Sequence, residues 1–143
     1  MADIAVIYWT GTGNTEEMAK AIVEGISEAG GSADLFFVTD ITAADAAKYE
    51  KLALGCPAMG SEVLEEADFQ PFWDDVVGEL SGKAVALFGS YSWADGEWMR
   101  TWQAEAEDAG LELVNGEGLI AYDSPDEDAI AACKALGAAL VKA

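Results

Sequence analysis

Apolar runs and helix-length segments alternate along this 143-residue chain from end to end, and that alternation leaves few folds open. Residues 3–9, 33–38, 51–56 and 84–91 read as strands, and a fifth lies within 111–122. The first run is near-continuously apolar, the pattern of a strand covered on both faces. Between the strands, apolar residues recur at three- and four-residue spacing. The spacing predicts a helix over 15–29 with Met18, Ile22, Ile26 and Ala29 on one face, stopped by Gly30 and Gly31. A short helix is predicted around 43–47. A helix over 71–80 turns Phe72, Trp73, Val76, Val77 and Leu80 inward, and one over 96–109 carries Trp98, Met99, Trp102 and Ala106 on a stripe. The last helix is predicted to open at Ser124 with Pro125 in its first position, burying Ile130, Cys133, Leu136, Leu140 and Val141. Strands interleaved with helices give an α/β fold, a three-layer doubly wound five-stranded parallel sheet. With no repeat, linker or low-complexity stretch, residues 1–143 read as a single domain.

The charge balance narrows the partners. Acids outnumber bases 27 to 7, a net charge of −20. Phosphate backbones and anionic membranes would be repelled, so neither nucleic acid nor a membrane surface fits. A partner with a basic docking patch does. No apolar run approaches the roughly 18 residues of a membrane span, and the opening "MADIAVIYW" has no basic leader, which reads as cytoplasmic. The chain has no histidine, the commonest general base and metal ligand at neutral pH. Cys56 and Cys133 stand far apart without metal or redox spacing, and read as buried free thiols.

In open parallel sheets, ligands sit outside the carboxyl ends of the strands, where the strand order reverses. The loops after strands one, three and four are therefore the candidates. The first is Thr10, Gly11, Thr12, Gly13, Asn14 and Thr15, leading into a helix. Backbone amides at a helix N-terminus favour an anion, and the hydroxyls and the Asn14 amide add donors. The loop has no lysine for a nucleotide-hydrolysing site, and Glu16 stands where a dinucleotide fingerprint needs its third glycine. A neutral cradle suits a terminal phosphate that is held and never transferred. The second loop runs Cys56, Pro57, Ala58, Met59, Gly60, Ser61 and Glu62; the third runs Ser90, Tyr91, Ser92, Trp93, Ala94, Asp95 and Gly96. Met59 and Trp93 can form two apolar faces of a slot. A flat aromatic ligand with a phosphate tail fits the whole set.

These residues carry a resemblance. "VIYWTGTGNTEEMAKAI", "LGCPAMGSE" and "ALFGSYSWADGEWMR" are similar to the phosphate loop and the two ring loops of flavodoxins of the short-chain type, and the similarity spans essentially the whole chain. It implies strand order 2-1-3-4-5 and FMN bound at the reversal between strands one and three; flavodoxin is itself a standard example of this order. It implies that Thr10–Thr15 bind the phosphate, that Met59 and Trp93 cover the two ring faces, and that the Gly60-Ser61 peptide lies by N5. Glu62 would reach toward N3, and Ser90, Tyr91 and Ser92 would line the opposite rim, with Pro57, Ala58 and Gly96 completing the site.

The implied function is low-potential one-electron transport between semiquinone and hydroquinone FMN, by a monomer and not an enzyme. Implied partners are redox enzymes with basic patches, of the ferredoxin– or flavodoxin–NADP reductase and pyruvate oxidoreductase types. The acids near the flavin edge would be Glu62, Glu65, Glu66 and Asp95. Two alternatives stay open: an FMN-dependent quinone or nitro reductase, and a flavoprotein activator subunit. A response regulator would need an acceptor Asp where Cys56 stands. A small tyrosine phosphatase would need an arginine at Glu62.

Overall fold

The computed structural model describes residues 2–59, 63–92 and 96–143. Its elements are β1 (Ile4–Tyr8), α1 (Asn14–Glu28), β2 (Ala33–Phe37), α2 (Ala43–Ala46), β3 (Lys51–Gly55), α3 (Phe69–Val76), β4 (Ala84–Tyr91), α4 (Glu97–Asp108), β5 (Glu112–Leu113), β6 (Leu119–Tyr122) and α5 (Glu127–Lys142). The strands pair in parallel in the order β2-β1-β3-β4-β5, with β6 also on β4. The order reverses between β1 and β3, as the resemblance implied.

One face of the sheet is covered by α1 and α5, around Met18, Ile22, Ile26, Cys133, Leu136 and Leu140. The other carries α3 and α4, where Phe69, Trp73, Trp98 and Trp102 are buried. Trp73 and Trp102 meet edge to face with centroids 5.7 Å apart, a geometry that contributes about 1 kcal/mol beyond area burial. Both cysteines are buried and free. Burial pushes each thiol up to about 12, so neither is a nucleophile at neutral pH.

Helices α1 and α5 cross closely because each offers a glycine at the contact. A Cβ on Gly25 would overlap the Lys134 carbonyl oxygen, and one on Gly137 the Ile22 carbonyl oxygen. Sequence periodicity placed these helix faces correctly and gave no sign of how closely they approach.

Among the boundaries that differ from the sequence reading, three have a clear local reason. The fifth strand is two short segments: β5 pairs with the start of β4 and β6 with its end. Between them Asn115 and Gly116 have φ of 64° and 75°, a left-handed pair that an extended strand cannot accommodate. The last helix opens after Asp126, whose Oδ1 accepts the Ala129 amide at 2.8 Å; Ser124 and Pro125 precede that cap. Helix α3 begins at Phe69, which puts Pro71 in the first turn, where a missing N–H has no intrahelical partner to lose.

Candidate functional site

The sheet's carboxyl edge converges on one cavity of about 320 Å³. Its walls are Trp9, Gly11, Thr12 and Asn14 from the first loop, Pro57, Ala58 and Met59 from the second, Ser90, Tyr91 and Ser92 from the third, and Asp123. The parallel ladder continues past the strands to bring these loops together. Trp9 N donates to Gly55 O at 3.0 Å, Cys56 N to Phe88 O and Ala58 N to Ser90 O at 3.1 Å each, and Asp123 N to Tyr91 O at 2.6 Å. Trp98 locks the second loop from behind, its indole N–H donating to Cys56 O at 3.1 Å.

The phosphate-type loop is built by two glycines. Gly13 is the N-cap of α1 at φ 95°, a conformation that strains any residue with a Cβ. Having no side chain, it leaves the first-turn amides without the acceptor that a serine or aspartate cap would give. Gly11 packs under Trp9: a Cβ there would lie 3.0 Å from the indole. Thr10 Oγ1 accepts the Gly13 amide at 3.0 Å, so its own proton remains available to donate.

Thr15 is buried and faces Ser90. The two hydroxyl oxygens are 3.2 Å apart, and Ser90 N donates to Thr15 Oγ1 at 3.4 Å. This pair joins the start of α1 to the end of β4. Lys20, further along α1, pairs with Glu16 at 3.0 Å and is not among the cavity's walls. The donor set at one end and the apolar walls of Trp9, Pro57, Ala58, Met59 and Tyr91 at the other suit a flat ring with an anionic tail.

Other expected residues stand elsewhere. Gly96 is the N-cap of α4 at φ 89°, with Ile120 Cδ1 3.0 Å from where a Cβ would be. Gly60, Ser61, Glu62, Trp93 and Asp95 lie outside the described residues. Glu65 was grouped with the acids near the flavin edge, and its carboxylate is not on the surface. It is 7 % exposed, and its carboxylate accepts the amides of Ala67, Asp68 and Phe69 at 2.8–2.9 Å. Glu66 is exposed.

Two cavity residues went unnoticed in the sequence. Trp9 was assigned to the strand, yet β1 ends at Tyr8 and Trp9 turns into the cavity. Asp123 sits at φ 57° just after β6. A signal existed for both, since each follows the carboxyl end of a strand. Among the described residues, no group of acids and cysteines is placed to hold a metal ion.

Comparison with known proteins identifies the family. The family model described as Flavodoxin matches residues 6–135. The chain is 45% identical over 122 residues to a flavodoxin of Clostridium beijerinckii, covering 85% of this chain and 88% of the relative. It is 41% identical over 140 residues to that of Megasphaera elsdenii, covering 98% and 99%. The solution structure of two-electron reduced Megasphaera elsdenii flavodoxin superposes with a TM-score of 0.86 over 98% of this chain and 99% of that one. With sequence and strand order agreeing, the chain belongs to the flavodoxin family, as an FMN-binding electron carrier and an electron-transfer protein, not a catalytic enzyme.

Proposed function

We propose that residues 1–143 form one domain that carries single electrons at low potential between redox enzymes of the cytoplasm, as a monomer. The carrying observation is the junction of a neutral, donor-rich helix N-terminus with an apolar-walled cavity at the strand-order reversal. When bound, FMN supplies the one-electron redox chemistry. The Thr10–Thr15 loop holds its phosphate by amides and hydroxyls, with Ser90 steadying Thr15 from behind. Met59, Trp9 and Tyr91 exclude water around the ring. Ser92, Trp93 and the Gly60–Glu62 segment are assigned to the ring's second face and its edge by family resemblance.

Carboxylates around this cavity oppose any gain of negative charge inside it, and apolar walls withhold solvation from such charge. Were FMN bound there, Asp123 on the cavity wall would depress a one-electron potential that adds net charge to the ring more than one in which a proton accompanies the electron, so the second potential should be the more depressed. A carboxylate about 10 Å away at an effective dielectric of about 40 contributes about 0.8 kcal/mol, or about 35 mV for one electron. Redox titration of Asp123→Asn should show the second potential raised by that order and the first less affected. Unchanged potentials would remove Asp123 from the account.

The partners of a redox carrier are redox enzymes. We further infer that they dock through basic patches, as reductases of the ferredoxin– or flavodoxin–NADP type and pyruvate oxidoreductase-type enzymes would. Steering of a chain with net charge −20 is screened over a Debye length of about 8 Å at physiological ionic strength. In stopped-flow mixing, electron transfer from such a reductase should slow as salt rises from a low level, and a rate indifferent to salt would rule steering out. With NADH or NADPH alone the protein should not turn over; rapid turnover would favour the quinone or nitro reductase reading.

A further inference from the structure

The loop after β3 doubles back on itself in two rungs. Met59 and Val63 exchange backbone hydrogen bonds, Met59 N to Val63 O at 2.9 Å and Val63 N to Met59 O at 3.0 Å. Nearer the root, Glu65 N donates to Cys56 Sγ at 3.4 Å. The outgoing limb is fixed to β4 through Cys56 N and Ala58 N. Among the described residues no strand lies beside the return limb, Val63–Glu65. It is anchored by Leu64, buried in the core, and by the Glu65 side chain. Oε1 accepts from Asp68 N and Phe69 N at 2.8 Å each, and Oε2 from Ala67 N at 2.9 Å. The Glu65 carbonyl also accepts Gln70 N at 2.8 Å. Asp68, the N-cap of α3, makes no side-chain cap bond, so Glu65 fills that role from three residues upstream.

A buried carboxylate with three amide donors is well satisfied, and each donor left bare would carry a desolvation penalty. Its charge is already engaged by those amides and the N-terminal end of the α3 dipole. Such a group shapes its surroundings by geometry more than by its field. What it shapes is the loop that brings Ala58 and Met59 to the cavity.

We infer that Glu65 is a positioning residue for the flavin ring: it clasps the return limb of the β3 loop to α3, and through the two rungs sets where Met59 stands on the cavity wall. The inference rests on the reading that this cavity holds the ring.

Glu65→Gln and Glu65→Asp separate clasp from charge. Glutamine keeps the length and one acceptor oxygen but presents an NH₂ to an amide donor. Aspartate keeps the charge and is one methylene too short. Both variants should weaken FMN binding to the apoprotein by about tenfold, the effect of one bared buried donor. Both should also change the spacing between the two one-electron potentials, by about 59 mV if the loss differs tenfold between redox states. Inorganic phosphate, titrated alone into the apoprotein, should bind all three chains equally, because it probes only the Thr10–Thr15 end. The parent's FMN and phosphate affinities, measured in the same series, test the cofactor reading separately.

An aspartate variant like the parent, beside a glutamine variant with only its second potential raised, would show that Glu65 acts as a charge and would overturn the clasp. Parental values in both would overturn it too. Leu140→Ala, a cavity-forming change on the opposite face of the sheet, controls for general loosening; an equal loss of FMN affinity there would also sink the inference. Should the Glu65 variants fail to fold, Cys56→Ala removes the acceptor of the root rung and should shift the potential spacing in the same direction by a smaller amount. An unshifted spacing in that variant would refute the clasp.

Discussion

Riboflavin should bind the apoprotein at least about a hundredfold more weakly than FMN. The two ligands share the ring and differ at the phosphate, so the ratio isolates the Thr10–Thr15 loop. Hydrogen bonds to a charged group contribute about 1.5–3 kcal/mol each, and two net bonds of about 1.5 kcal/mol already reach a hundredfold. The loop has more donors than that: the uncapped first-turn amides of α1, the free proton of Thr10, and Thr12 and Asn14 on the cavity wall. Part of their gain is offset by repulsion between a dianion and a chain of net charge −20. Fluorescence titration measures both affinities, since Trp9 lines the cavity and its emission should fall as the ring enters. Gly13→Ala, forced to φ 95°, should lower FMN affinity toward that of riboflavin and leave riboflavin unchanged. Equal affinities for the two ligands in the parent would mean that the loop does not hold the phosphate.

Gly137→Val should cost about 3 kcal/mol of stability or more, the upper range for overpacking. The first atom of any side chain at this site would overlap the Ile22 carbonyl oxygen and lie 2.9 Å from Ile26 N. Both are helical backbone in α1, so relief requires the two helices to separate, which unpacks Met18, Ile22, Ile26, Cys133 and Leu136 around them. At a urea m-value of about 1–3 kcal/mol/M the unfolding midpoint should fall by about 1 M or more. Gly78 is the control: nothing lies within 4 Å of a Cβ there. Gly78→Ala should be neutral or slightly stabilising, because alanine narrows the unfolded ensemble. Similar midpoints for Gly137→Val and Gly78→Ala would show that the helices yield easily. FMN in excess should recover part of the loss by mass action, provided the folded variant still binds it.

The parts legible in the sequence were those governed by local pattern. The first loop could be read because glycines and hydroxyls between a strand and a helix have few other uses. The faces of α1, α4 and α5 followed from the spacing of Met18, Ile22 and Ile26, of Trp98 and Trp102, and of Cys133, Leu136 and Leu140. Residues whose role depends on long-range geometry were misread or missed. Glu65 looks like any member of an acidic run, and nothing in that run shows that its carboxylate takes up the amides at the start of α3. Trp9 is a strand residue by pattern and a cavity wall by position. The Asn115-Gly116 pair was a visible turn signal inside the fifth strand pattern, and the apolar residues on either side, Leu113-Val114 and Leu119-Ile120-Ala121, masked it. At the last helix the pattern put the opening at Ser124, two residues before Asp126, whose side chain makes the cap.

The ladder that runs on past β3 into Cys56 and Ala58 bears on the speed of electron exchange. Polar groups that must swing to meet a new charge add a nuclear rearrangement to each transfer, and groups already oriented do not. Here the amides and carbonyls behind the cavity are committed to the sheet: Cys56 N to Phe88 O, Ala58 N to Ser90 O, Trp9 N to Gly55 O. They cannot reorient without breaking parallel pairing. A wall hung on the sheet in this way should add little rearrangement of the protein matrix to each transfer, so that exchange stays fast even where donor and acceptor potentials lie close together.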